Sequence, residues 1–154
     1  MAKSLVYGEI TLNDIFSVCR DSSSIAIDSE TTGLNWLTSD IIGVGICSSK
    51  KDAYWIESVE PNFDIFMHDL LALKNIFILH NAKFDLHQFK KFGVPQNIED
   101  TIIKSKLINE TWKHDLTSMV ERFLTKAHNK YTYELYEYKA ENKIKNFADF
   151  PREM

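Results

Sequence analysis

Three acidic residues in two short segments carry the chemistry that this sequence could perform. Asp28 and Glu30 follow the apolar run Ser24-Ile25-Ala26-Ile27, which predicts a buried strand. Because residues i and i+2 of a strand share a face, we expect both carboxylates to converge on one point. Asp85 stands in the first turn of a predicted helix, where the helix dipole favours a carboxylate. Clustered carboxylates repel one another, and a hard divalent cation is their usual partner.

Each of these features also has a structural explanation. Asp-x-Glu is common in solvated turns, and the alternative for the second segment is that Asn81 caps the helix while Asp85 complements its dipole. His80 and His87 are expected to be structural, since two scattered histidines do not make a zinc site. Asp100 is expected to cap the helix that follows it and not to bind metal.

The elements that position these residues alternate along the chain. Strands are predicted at 5–10, 24–28, 40–48, 53–56 and 75–79, with an antiparallel pair around the turn at 49–52. Helices are predicted after a cap at 11–14 and at 64–73, 82–92, 101–109 and 115–124, while 131–145 is either a helix or mobile. This order predicts an α/β fold with a mixed β-sheet flanked by helices.

Composition limits the kind of protein this is. The chain has 154 residues, 44% hydrophobic, with a net charge of −4, which predicts a single domain over residues 1–154 and excludes a disordered or collagen-like chain. No apolar run approaches the roughly 18 residues of a transmembrane helix, and no secretory signal is found. Cys19 and Cys47 lie in unrelated segments, which favours a reducing, cytoplasmic location.

Charge is distributed unevenly between the two halves of the chain. Residues 1–77 hold 5 basic and 11 acidic side chains, and residues 78–154 hold 13 basic and 11 acidic ones. An acidic metal pocket beside a mildly basic half fits these numbers, and a plain solvated surface fits them too.

Two motifs resemble those of a known family. The segment 27–34 (IDSETTGL) resembles the first motif of the DnaQ-like (DEDD) 3′–5′ exonucleases, and 80–85 (HNAKFD) resembles the second. The segments 93–95 and 99–103 resemble the proofreading exonuclease domain of phage and bacterial family A DNA polymerases. The resemblance implies a ribonuclease H-like fold and metal-dependent hydrolysis of single-stranded DNA 3′ ends. It also implies a DNA polymerase chain as the expected protein partner.

The same resemblance implies roles for individual residues. Asp28 would bridge two divalent ions, Mg²⁺ or Mn²⁺, Glu30 would hold the first, and Asp85 would act through the shell of the second. Leu34 is either an apolar wedge against the terminal base or a buried anchor of its loop. The residues expected to contact the nucleic acid are Thr31, Thr32, Leu34, Asn81 and Phe84.

The family pattern breaks near the C-terminus. A fourth carboxylate, in Tyr-x-x-x-Asp or His-x-x-x-x-Asp, is expected on a late helix, and residues 110–154 contain neither motif. Tyr133 to Glu137 is the nearest match, with Glu in place of Asp. Because 146–151 resembles the stretch that precedes the third motif, the missing helix is expected to begin beyond Met154 and the chain to be truncated.

Several functional interpretations therefore stay open. The chain is an exonuclease that is weak or inactive alone, an N-terminal fragment of a split polymerase, or an enzyme in which Glu137 or Asp149 replaces the missing ligand. A non-catalytic nucleic-acid-binding or interaction module is the alternative from another class. An RNA-directed exonuclease of the same superfamily is a further alternative. The sequence shows no group that reads a 2′ hydroxyl, so the choice of DNA over RNA rests on the resemblance alone.

Overall fold

The computed structural model describes residues 10–48 and 53–144. The chain forms two compact units, of which the first ends at Asp100 and the second begins at Thr101. That residues 1–154 form a single domain stays a prediction. Most of the predicted strand at 5–10 and the turn at 49–52 lie outside the described residues.

The first unit is built on a five-stranded mixed sheet in the order β3-β2-β1-β4-β5. Strand β1 pairs antiparallel with β2, which pairs antiparallel with β3, while β4 is parallel to both β1 and β5. The antiparallel pair predicted from the sequence is thereby confirmed. Strand β5 was not predicted, because it is only four residues long and has a single apolar side chain. The strands are β1 Ser24–Thr31, β2 Ile41–Cys47, β3 Ala53–Glu57, β4 Ile76–Leu79 and β5 Asn97–Asp100.

Three helices complete the first unit: α1 Leu12–Arg20, α2 Phe63–Leu71 and α3 Ala82–Phe89. The predicted cap of α1 is confirmed: Asp14 N–H donates to Thr11 Oγ1 at 3.2 Å, and Thr11 N–H donates to Asp14 Oδ2 at 2.9 Å. Helix α3 ends three residues earlier than predicted. Gly93, at φ +136°, then turns the chain.

The core of the first unit decides which face of β1 is left for chemistry. Ile25, Ile27 and Ser29 are buried, whereas Ala26 and Asp28 between them are exposed. Side chains from the sheet and all three helices form the core, and each large one stabilises the fold by about 1.5–3 kcal/mol. They include Ile15, Ile25, Ile46, Met67, Leu70, Phe77 and Phe89. The alternation therefore turns Asp28 away from the face that Ile25 and Ile27 bury.

The second unit is helical: α4 Thr101–Ile108, α5 Leu116–Phe123, a 3-10 helix Lys126–Asn129 and α6 Lys130–Glu141. Asp115 caps α5 through a 2.9 Å bond from Ser118 N–H to its carboxylate. For residues 131–145 the structure favours the helical alternative as far as Glu141. Within 10–48 and 53–144, no helix is long and apolar enough to cross a membrane.

Candidate active site

Strand β1 extends past its parallel neighbour at the edge where the acidic residues stand. The pairing between β1 and β4 ends at Ala26 and Ile78, whereas β1 continues to Thr31. On its other side β1 stays paired with β2, and the register shifts between Glu30 and Thr31. At its carboxyl end, β1 therefore extends beyond its pairing with β4, and the start of α3, which follows β4, lies against this edge of β1. Ends of parallel strands are where α/β folds place their sites.

Two glycines lie opposite the acidic residues of β1. Gly45 pairs with Asp28 and Gly43 pairs with Glu30. A Cβ on Gly43 would lie only 2.5 Å from the Trp55 ring, whereas a Cβ on Gly45 would meet nothing within 4 Å. Because Gly45 carries no side chain, the space beside Asp28 is open, whereas the Trp55 ring fills the space over Gly43.

Asp85 of α3 is hydrogen-bonded to the edge of β1 that extends beyond β4. Its side chain is 2% exposed, and its Oδ1 accepts two hydrogen bonds from Ser29, at 3.0 Å from the N–H and 2.6 Å from Oγ–H. The carboxylate thus accepts a hydrogen bond from the backbone N–H of Ser29, which lies beyond the end of the pairing between β1 and β4. This contact ties α3 to the strand that carries the other two acids, and neither the pattern nor the spacing of the sequence indicated it.

The three carboxylates influence one another electrostatically. Asp28 is exposed as a residue, but desolvation of its carboxylate by the surrounding protein, followed by the nearby charge of Asp85, raises its pKa to about 6. Burial, followed by the charges of Asp28 and Asp85, raises the pKa of Glu30 to about 7. The pKa of Asp85 is also raised by burial, and the bonds from Ser29 oppose that rise. The structure therefore places Asp28 and Asp85 close enough to Glu30 for their charges to raise its pKa.

The start of α3 is fixed by a residue that follows it in the chain. Asp100, at the end of β5, accepts hydrogen bonds from the backbone N–H of Ala82 at 2.9 Å and of Asn81 at 3.3 Å. Asn81 itself is in the left-handed region, at φ 70° and ψ 50°, and makes no capping bond with its side chain. The alternative in which Asn81 caps the helix is therefore wrong. Asp100 thus caps α3, and the expected cap of α4, the helix that follows it, stays a prediction.

The predicted nucleic-acid contacts lie around the same edge. Thr31 Oγ1 donates to the Gly33 carbonyl at 2.7 Å, and Thr32 Oγ1 accepts from Asp40 N–H at 3.0 Å. Leu34 is 89% exposed, so the alternative in which it anchors a buried loop is wrong. At the start of α3, Asn81 is exposed and Phe84 is half-buried. The contacts of these residues with a strand stay predictions.

The two carboxylates on β1, those of Asp28 and Glu30, are suitable ligands for a divalent cation. Asp28 is exposed and Glu30 is partly exposed, so a cation can reach both, and its charge would offset the desolvation and the repulsion that raise their pKa values. Among the residues that the structure describes, no group of three or more His, Cys, Asp or Glu side chains is arranged to hold a metal ion. That Asp85 joins such a site stays a prediction.

Two residues are considered as substitutes for the fourth acid of the family pattern. Glu137 is an exposed residue of α6, in the second unit. Tyr133, four residues before it, donates a hydrogen bond to Glu121. Asp149 lies outside the described residues.

Comparison with known proteins identifies relatives for most of the chain. A family model described as 3′–5′ exonuclease matches residues 4–149. The DNA polymerase DpoZ of Acinetobacter phage SH-Ab 15497 is 36% identical over 106 residues, covering 65% of this chain and 17% of that protein. DNA polymerase I of Borreliella burgdorferi is 29% identical over 157 residues, covering 95% of this chain and 16% of that protein. The chain thus spans less than a fifth of the length of these relatives.

Solved structures share the fold. Brucella melitensis NrnC bound to pGG superposes with a TM-score of 0.61 and 27% identity, over 68% of this chain and 54% of that one. NrnC with bound Mg²⁺ gives a TM-score of 0.59 and 28% identity, over 68% of this chain and 55% of that one. Escherichia coli RNase D gives 0.63 and 19% identity, over 73% of this chain and 31% of that one. These likenesses confirm the predicted ribonuclease H-like α/β fold.

Proposed function

Because the chain belongs to the 3′–5′ exonuclease domain family of family A DNA polymerases, we propose that it hydrolyses the terminal phosphodiester bond at the 3′ end of single-stranded DNA. The observation that carries the proposal is the acidic pair on β1. Asp28 and Glu30 stand on the open side of a strand end, and their pKa values are raised by desolvation and, to a smaller extent, by the charge of Asp85. Neighbouring carboxylates of this kind can bind divalent cations next to a phosphate.

Divalent cations are the implied cofactor. The family is dependent on divalent metal ions, and the NrnC neighbour contains Mg²⁺. We propose two ions, Mg²⁺ or Mn²⁺, held by Asp28 and Glu30 with Asp85 contributing to the second. Bound at these carboxylates, they would supply an activated water and stabilise charge on the leaving 3′ oxygen.

The chain's own residues would position this chemistry. Ser29 holds Asp85 by two hydrogen bonds, and Asp100 fixes the first turn of the helix on which Asp85 stands. Preorganised carboxylates lower the cost of assembling a site around a substrate. The strand would be gripped by sequence-tolerant contacts, as an enzyme that removes any terminal nucleotide requires. The residues proposed for them are Thr31, Thr32, Leu34, Asn81 and Phe84.

The polymerase relatives support DNA as the substrate and a polymerase segment as the partner, in the same chain or a separate one. They are bacterial and phage proteins, which also supports the predicted cytoplasmic location. The NrnC neighbour, bound to pGG, supports a short unpaired strand end as the part recognised. An RNA-directed activity and a non-catalytic binding module are outcomes that the same experiment distinguishes.

The test uses a 5′-labelled single-stranded oligonucleotide, with and without Mg²⁺ or Mn²⁺. We expect products that shorten from the 3′ end only with the cation, and no products with the double variant Asp28→Asn, Glu30→Gln. Glu60→Gln, an exposed acid on a loop of the first unit, is the matched control and should keep full activity.

Three results would contradict the proposal. Cleavage that persists in the double variant would remove Asp28 and Glu30 from the mechanism. Faster cleavage of an RNA of the same sequence would establish the RNA-directed alternative. Absence of both cleavage and cation binding, in the wild-type chain with or without a polymerase partner, would leave the non-catalytic module.

A further inference from the structure

Large apolar side chains stand exposed on the loop between β1 and β2. Leu34 is 89% exposed, Leu37 is 70% exposed and Trp36 is 43% exposed, all within four residues. Single exposed apolar residues are ordinary, but a cluster of three on one short loop is typical of a binding surface.

This loop, residues 32–40, is held by its own hydrogen bonds. The Asn35 carbonyl accepts from the N–H groups of Thr38 and Ser39, both at 2.9 Å, and from Ser39 Oγ at 2.8 Å. At its base, Thr32 N–H donates to the Asp40 carbonyl at 2.9 Å and Asp40 N–H donates back to Thr32 Oγ1 at 3.0 Å. The apolar side chains are therefore presented by an ordered loop, so binding would cost little conformational entropy.

One of these side chains is anchored beside the acidic cluster. The Trp36 ring stacks on the His87 ring, with centroids 4.5 Å apart and planes 16° from parallel. His87 lies two residues after Asp85 on α3, and the loop begins one residue after Thr31 at the end of β1. The stack therefore fixes the indole next to both segments that carry the carboxylates.

We propose that Trp36, supported by His87, is a stacking platform for an unpaired nucleobase of the strand whose 3′ end lies at Asp28 and Glu30. The inference rests on the proposed function and adds two residues to its site. A flat ring already stacked at 4.5 Å offers the surface on which a further ring packs, and base stacking of this kind is independent of sequence. Leu37 would extend the same apolar surface.

The charge of the loop favours a base over a phosphate as its ligand. Residues 32–40 contain no Lys or Arg and one Asp. Without cations the loop has no attraction for the sugar-phosphate backbone, so its contribution to binding should depend on the bases and vary little with salt.

The test measures binding apart from cleavage. A fluorescein-labelled single-stranded oligothymidylate and a matched abasic strand are titrated with the full chain in EDTA, and anisotropy gives the dissociation constants. We expect Trp36→Ala to weaken binding of the oligothymidylate by about five-fold or more, and Trp36→Phe to stay within about two-fold of wild type. The abasic strand should bind both variants and wild type equally.

Controls keep the result interpretable. Leu107→Ala removes a side chain that is 82% exposed in the second unit and should leave binding unchanged. Leu37→Ala, checked for folding by circular dichroism, serves as a second variant of the loop, with the same direction of effect. Quenching of tryptophan fluorescence by the oligothymidylate should be reduced in Trp36→Phe relative to wild type.

The outcomes separate this inference from the proposed function. If wild type binds the strand and Trp36→Ala binds it equally well, the platform is refuted, the exonuclease proposal stands, and the loop is left as a surface for a protein partner. If Trp36→Ala weakens binding of the abasic strand as well, the contact is with the backbone and the platform is again refuted. If wild type binds no single strand at all, the platform and the proposed substrate fail together.

Discussion

Replacing Glu30 by Gln should stabilise the metal-free protein at alkaline pH while strongly weakening its stabilisation by divalent cations. Burial and two neighbouring acids raise the pKa of Glu30 from 4.5 to about 7. Below pH 4.5 the side chain is protonated in both the folded and the unfolded chain and has no effect. Between pH 4.5 and 7 the folded chain keeps the proton that the unfolded chain releases, so stability falls as the pH rises. Above pH 7 the loss is complete.

The magnitude follows from the same pKa values. One pKa unit corresponds to about 1.4 kcal/mol, so the full difference amounts to about 3 kcal/mol at pH 8. Because Glu30 is partly exposed, solvent screens the charge, and we expect roughly 1–2 kcal/mol. Glu30→Gln removes the charge and keeps the shape, so the free energy of unfolding should rise by that amount at pH 8 and change little at pH 4.

Urea unfolding followed by circular dichroism, in EDTA at several pH values, measures this difference. Added Mg²⁺ or Mn²⁺ should stabilise wild type, because it binds the folded state, and should stabilise Glu30→Gln much less. Glu60→Gln removes an exposed acid and should reproduce wild type throughout. A Glu30→Gln protein that is less stable than wild type at pH 8 in EDTA would refute the argument that burial and repulsion destabilise the charged form of Glu30.

Three further substitutions, two of them with a matched control variant, test the surroundings of the acids by the free energy of unfolding in urea. Ser29→Ala should lower the free energy of unfolding by about 1.5–3 kcal/mol, because it removes the hydrogen bond from the Ser29 hydroxyl to the buried, charged Asp85. Ser29→Thr keeps the hydroxyl and should lower it clearly less. Equal losses would show that the hydroxyl does not contribute. Asp100→Ala should lower the free energy of unfolding by about 1 kcal/mol and speed amide hydrogen exchange in the first turn of α3, because the helix loses its cap. Unchanged exchange would argue against that cap. Gly43→Ala should lower the free energy of unfolding by about 1–3 kcal/mol, because its Cβ would lie 2.7 Å from a backbone carbonyl. Gly45→Ala should be tolerated, because its Cβ would meet nothing within 4 Å. Similar losses for the two variants would contradict the open space over Gly45.

Local patterns were sufficient to predict most of the elements. The cap at Thr11 and Asp14 joins residues three apart, and the alternation of β1 depends on consecutive side chains, so both could be read from short windows of sequence. Strand β5 was missed because it forms beside β4 by pairing between segments about 20 residues apart, with little apolar pattern of its own. Its end nevertheless carries Asp100, which caps α3.

The sequence by itself determined which residues are proposed to carry the chemistry, because Asp28, Glu30 and Asp85 stand in motifs that can be identified by residue type and spacing. Tertiary structure alone decided how they are held. Ser29 meets Asp85 across 56 positions of sequence, and Asp100 meets Ala82 across 18. The stacking of Trp36 on His87 is likewise a contact between two segments far apart in the chain. Such contacts depend on how a strand and a helix pack, which periodicity does not encode, and that packing also sets the burial that raises the pKa values of the acids.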